Sequence, residues 1–155
     1  MEDLLKTYIR DRKIETTALR AAVGTIQPAQ SLRLLLAIRN DSYSAIMVAA
    51  EEGHTKACHL LLSPIRKTAD ELLLMKRKDG RTVLHIAVWR GDCECVELLV
   101  DTVSDERKYE FVAEKTEKGN AAIGEAAWWG RNKCIECILY SFSSLQRDSL
   151  LNIQD

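Results

Sequence analysis

A glycine closes an alanine-rich segment three times in this chain at nearly constant spacing, and that recurrence limits the fold more than any other feature. Gly53, Gly91 and Gly130 stand 38 and 39 residues apart. Aligned on them, Ser44-Ala45-Ile46-Met47-Val48-Ala49-Ala50, Thr82-Val83-Leu84-His85-Ile86-Ala87-Val88 and Ala121-Ala122-Ile123-Gly124-Glu125-Ala126-Ala127 fall in one register. A second apolar pattern follows each glycine: Cys58, Leu60 and Leu61; Val96, Leu98 and Leu99; Ile135, Cys137 and Ile138. Each copy therefore reads as helix, tight turn, helix. One such unit cannot bury its apolar face alone, so the copies must stack on their neighbours. Strand-like alternation is nearly absent, and the expected class is an all-α helical-repeat solenoid.

The length of the period also has a readable cause. Thr68-Ala69-Asp70-Glu71 has the form of a capping box ahead of Leu72-Leu73-Leu74-Met75, which predicts a short third helix between copies. Ser104-Asp105-Glu106 before Phe111-Val112, and Ser143-Ser144-Leu145-Gln146 before Leu150-Leu151, repeat the arrangement. An earlier, divergent copy is expected from Thr17 to Val23, followed by Pro28 near a helix start and Leu32, Leu34, Leu35 and Leu36. Leu4, Leu5, Tyr8 and Ile9 share one face of an amphipathic start that reads as an N-terminal cap. The expected organisation is one domain: cap 1–14, divergent repeat 15–39, and repeats 40–77, 78–116 and 117–155. Leu150-Leu151-Asn152-Ile153-Gln154-Asp155 reads as the lead-in to a further repeat, which implies a fragment of a longer array or an end left uncapped.

At 155 residues and 46% hydrophobic content, the chain can build one real core. With 22 basic and 23 acidic residues it carries a net charge of −1, so it has no overall attraction for nucleic acid or an anionic membrane. No apolar run reaches the roughly 18 residues of a membrane span, and MEDLLKTYIRDRK is too charged for a secretory signal. Five cysteines without a disulfide-framework spacing fit a reducing compartment, so the cytoplasm is expected, with the nucleus as alternative.

The central copy carries a family resemblance. Asp79-Gly80-Arg81-Thr82-Val83-Leu84-His85-Ile86-Ala87, with Gly91 and Leu98-Leu99, resembles an ankyrin repeat, whose core is T-P-L-H-x-A about every 33 residues. Thr82, Leu84, His85 and Ala87 match, and Val83 replaces the proline. The second copy has Ser44 for threonine and Met47 for histidine. The fourth has Ala121 and Gly124 in those places, which predicts a weaker first helix and a turn less well tied. The resemblance implies that His85 hydrogen-bonds the turn and ties adjacent repeats, a structural rather than catalytic task.

It also implies a non-enzymatic protein–protein interaction module, a scaffold, adaptor or regulatory domain that needs no cofactor. Turn tips and late first-helix positions then line a concave face. These are Lys78, Asp79, Arg81, Trp89 and Arg90 in the third copy, and Glu117, Lys118, Asn120, Trp128 and Trp129 in the fourth; the second supplies Asn40, Asp41, Tyr43, Glu51 and Glu52. Adjacent helical residues point about 100° apart, so one apolar face cannot bury both Trp128 and Trp129. Trp89 and Trp128 share a register and Trp129 stands where Arg90 does, which predicts one patch with the tryptophans as anchors. Arg81 and Arg90 would give it charge complementarity, and Glu51 and Glu52 an acidic contribution. The other use of the rings is packing on each other and on neighbouring first helices.

A second class of function also follows from these residues. Bases stacking on the tryptophans, with phosphates on Lys78, Arg81 and Arg90, would make a nucleotide or single-strand site beside the basic run Lys76-Arg77-Lys78-Asp79-Gly80-Arg81. Glu51, Glu52, Glu117 and Glu125 on or near the same face favour a solvated loop instead. Cys93-x-Cys95 and Cys134-x-x-Cys137 could supply four thiolates to zinc, but register opposes it. Cys95 and Cys134 are repeat equivalents, Cys58 and Cys137 take core positions, and Cys93 points elsewhere. Cys58-His59 lacks a third group to orient the imidazole, so no nucleophile is expected. The predicted partner is another protein, with no membrane, and the chain is a monomer or self-associates weakly through its uncapped end.

Overall fold

The computed structural model describes residues 44–143. The cap, the divergent first repeat, Tyr43 with Asn40 and Asp41, and the helix leading to Leu150 lie outside the described residues. Within them run α1 (Ala45–Glu52), α2 (Thr55–Leu62), α3 (Asp70–Leu73), α4 (Val83–Arg90), α5 (Cys93–Thr102), α6 (Asp105–Ala113), α7 (Ala122–Trp128) and α8 (Asn132–Tyr140). A 3-10 segment, Ser63–Thr68, joins α2 to α3 and carries Pro64 in its first turn, where a missing N–H costs nothing. The described residues contain no strand, only an isolated bridge between Lys115 and Ala121.

These helices are too short to be stable alone; the longest has ten residues. Stacking supplies the stability. α1 packs on α4 and α4 on α7, forming an inner layer, while α2 packs on α5 and α5 on α8 behind it. A first helix held between two neighbours and its own second helix has no solvent face, so it can be apolar all round. Accordingly Val83 to Val88 in α4 form an unbroken buried run, and Ala45 to Ala50 in α1 are buried as well. Ala49, Ala87 and Ala126 share a register and are fully buried.

The inter-repeat helices exist, with one correction. Leu72 and Phe111, 39 residues apart, are both fully buried, as equivalent anchors should be. Thr68 is not where that helix starts, however. It ends the 3-10 segment, Ala69 precedes α3, and the helix spans four residues. The Asp70 carboxylate accepts instead from the Ser104 N–H at 2.9 Å and hydroxyl at 2.6 Å. Ser104, expected to head its own helix, thus pins one inter-repeat helix to the other. Asp92 has a similar double use: it accepts from Cys95 N–H at 3.0 Å, capping α5, and from the Thr55 hydroxyl at 2.6 Å across to α2.

Candidate functional site

The turn tips are built alike in the third and fourth copies. Arg77 N–H donates to the Arg81 carbonyl at 2.8 Å, and one repeat later Thr116 N–H donates to the Asn120 carbonyl at 3.0 Å. Each tip then bends at a glycine. Gly80 has φ 78°, and a Cβ there would sit 2.6 Å from the Glu117 backbone nitrogen, which donates to the Asp79 carbonyl at 3.0 Å. Only glycine admits so close an approach of the next tip in that left-handed conformation.

His85 joins the two tips. Its Nδ1 lies 3.3 Å from the Thr82 N–H and 3.0 Å from the Thr82 hydroxyl, and its Nε2 lies 3.2 Å from the Asn120 carbonyl. The Thr82 N–H can only donate, so Nδ1 accepts and the proton belongs on Nε2, which donates to Asn120. Burial pushes the imidazole below its ordinary 6.5, and Arg81 acts in the same direction; Glu125, the Asn120 carbonyl and Glu114 oppose them. A neutral, buried tie is the result.

In the fourth copy, where Gly124 replaces that histidine, α7 has seven residues and buries only Ala122, Glu125 and Ala126. Arg81 Nη2 reaches across to Glu125 Oε1 at 3.1 Å. Glu125 is just 6% exposed, and its other oxygen, Oε2, is buried with no hydrogen-bond partner. Beside it lies a groove of about 470 Å³ lined by Arg81, Lys118, Asn120, Glu125, Trp128 and Trp129. Sequence reasoning passed over Glu125 as one more surface acid. The signal was present in the register, because Glu125 stands where Val48 and Ile86 are buried apolar residues.

The three tryptophans are exposed: Trp128 by 84%, Trp129 by 49% and Trp89 by 39%. The groove gathers Trp128 and Trp129 with Arg81, Lys118 and Asn120. Trp89 is not among its lining residues. Arg90 lies back along the stack, with Nη2 3.4 Å from the Glu52 carbonyl, and Arg131 does the same to the Trp89 carbonyl at 3.3 Å. Lys78 is exposed at its tip, and Glu51 and Glu52 are half-buried at the end of α1.

The basic run is largely answered by acids. Lys76 pairs with Glu114, Arg77 with Asp79 at 2.7 Å, and Arg81 with Glu125. Among the described residues no three His, Cys, Asp or Glu side chains converge in a way that could hold a metal ion. The thiols pair between repeats instead. Cys95 Sγ lies 3.8 Å from Cys58 Sγ, and Cys93 Sγ lies 3.2 Å from Cys134 Sγ rather than pointing away. Cys137, expected in the core, is half-buried. Burial first, then the Cys93 contact, pushes the Cys134 thiol up to about 12, and contact with Cys58 together with burial raises Cys95 further. Such thiols are protonated and act as small apolar residues.

No helix among the described residues is long and apolar enough to cross a membrane. In comparison with solved structures, a chain from the complex of the yeast ribosomal protein Rps3 with its chaperone Yar1 superposes with a TM-score of 0.67. It shares 22% identity, over 91% of this chain and 92% of that one, a likeness of fold. A family profile described as "Ankyrin repeats (3 copies)" matches residues 1–108 and, overlapping, 67–148. With the stacked helix pairs, glycine-bent tips and tying histidine already in view, the chain belongs to the ankyrin-repeat family.

Proposed function

We propose that this chain is a non-enzymatic protein–protein interaction module, one domain whose repeats 40–77, 78–116 and 117–155 present a concave face to a protein partner. The observation that carries the reading is the exposure of Trp128 and Trp129 on a groove at the end of the described stack. Large rigid rings lose little entropy on desolvation, and two on one rim are costly to leave in water unless something covers them. The superposed chain comes from a complex of a ribosomal protein with its chaperone, and a protein partner for this chain agrees with that. Pairing of Lys76, Arg77 and Arg81 with acids weighs against phosphate binding at the same tips.

The test is Trp128→Ala in the full chain, used as bait beside the parent protein. Partner affinity should fall by about 2 kcal/mol or more, with helical circular dichroism and melting midpoint unchanged. Loss of helical signal would make the ring part of the core. Salt-sensitive binding of short oligonucleotides would transfer the groove to the nucleotide reading.

A further inference from the structure

We infer that the groove receives an arginine side chain of the partner, its guanidinium donating to Glu125 Oε2 while its plane lies against Trp128 or Trp129. The inference rests on the interaction-module reading above and names what that module grips. It starts from the orphaned oxygen. Glu125 is more than nine-tenths buried and lines the groove, yet Oε2 accepts nothing, although Arg81 already holds Oε1 at 3.1 Å. A buried carboxylate oxygen without a donor is destabilising, and a bound donor is one way a native protein offsets that cost. The carboxylate torsion is soft and Trp128 is largely solvent-exposed, so a small rotation offers Oε2 to the groove.

The chemistry selects the occupant. An anion would meet the Glu125 carboxylate in a poorly solvated site, and the nearest guanidinium, Arg81, is committed to that carboxylate. A lysine ammonium is strongly hydrated and rounded, whereas a guanidinium is planar, less hydrated, stacks on an indole face and donates from its edge. An arginine can therefore use both parts of the groove at once. The charge of Arg81 is offset by Glu125. That of Lys118, exposed on the rim, opposes the incoming cation and should weaken its binding. Register supplies a second argument. Val48 and Ile86 show that this repeat position works as an apolar one, so Glu125 is retained against the local packing rule, a mark of a functional site.

The test uses the full chain and four blocked glycine-flanked peptides that differ in one central residue: arginine, citrulline, lysine or glutamate. Binding is followed by chemical shifts of the indole N–H groups. The arginine peptide should bind, and the neutral isostere citrulline should bind about tenfold more weakly. Lysine should fall below arginine, and glutamate should not bind. Glu125→Gln should lose the preference for arginine over citrulline, and Lys118→Ala should strengthen arginine binding. Glu125→Ile, which restores the residue type of the other copies, should raise the melting midpoint and abolish arginine binding. Equal binding of citrulline and arginine, preference for glutamate, or Lys118→Ala weakening the arginine peptide would each overturn the proposal. Partner binding that depends on Trp128 but not on Glu125 would overturn the arginine and leave the module. Partner binding indifferent to both tryptophans would remove the module itself.

Discussion

The inner helices α4 and α7 are built on one register and meet opposite surroundings. α4 lies between α1 and α7 and buries six consecutive residues; α7 packs on α4 alone in the inner layer of the described stack and buries three of its seven. Leu84 is fully buried in the first, and its equivalent Ile123 is half-buried in the second. His85 ties its turn, while Gly124 ties nothing. Ile86 is a plain core residue, and Glu125 is a buried acid facing a groove. A repeat position is thus an address and not an environment. Whether an address becomes core or binding surface depends on what stacks against it.

The largest way to break the comparison is truncation at the shared address. Leu84→Ala should cost about 3 kcal/mol or more, because Leu84 is fully buried on a helix packed against three others, which leaves the cavity little room to collapse. Ile123→Ala should cost about half as much or less, since that side chain is only partly buried. Chemical denaturation of both variants measures the difference, and equal losses would mean that α7 is as enclosed as α4. The tips offer a second matched pair. Gly80 and Gly119 both have positive φ, 78° and 85°, so alanine carries a left-handed penalty of about 1 kcal/mol at each. Only at Gly80 does the new Cβ strike backbone, and Gly80→Ala should cost about 2 kcal/mol more than Gly119→Ala, where nothing lies within 4 Å.

The histidine sharpens the contrast through pH. Burial lowers its native value below 6.5, so the unfolded chain takes up a proton that the native state refuses. The stability contributed by neutral His85 is complete above about pH 6.5 and is lost as the pH falls below that, through the lowered native value. The groups facing the ring are Thr82 from its own helix start, Asn120 and Glu114 from the next tip and its approach, Arg81, and Glu125 from α7. The melting midpoint should decline as the pH falls below about 6.5. His85→Gln should melt lower at neutral pH and show a flatter profile, and an unchanged profile would assign the titration elsewhere.

The fold was legible in the sequence because the glycines and paired leucines are local signals that recur. Three registers in agreement leave few alternatives to a stack, and the fully buried Leu72 and Phe111 were found by spacing alone. The capping box at Thr68 failed because the 3-10 segment runs through Thr68 and Ala69 precedes α3, while Ser104, which heads its own helix, donates to Asp70 across repeats. The partner of Cys93 was missed for the same reason: helix angles within one repeat do not give distances between repeats. Exposure of the tryptophans was undecidable from periodicity, which says where a ring points but not what lies there. Glu125 was legible and went unread, since a charged residue at an apolar address is informative only after the address is known to be buried.

The smallest predicted effect separates weak intrinsic helicity from lack of cover as the reason α7 is the poorer helix. Gly124 lies inside α7 at the histidine address, with no positive φ, and a Cβ there would meet nothing within 4 Å. Gly124→Ala should therefore stabilise the protein by about 0.5–1 kcal/mol, by restricting the unfolded chain and favouring the helix. The gain should appear as greater amide protection in α7 and α8, which pack on each other, with little change in α1 and α2, because stability in a stack passes mainly between neighbours. A gain spread evenly over all copies would mean that the stack unfolds as one unit. No gain at all would mean that helix propensity is not what sets α7 apart from α4.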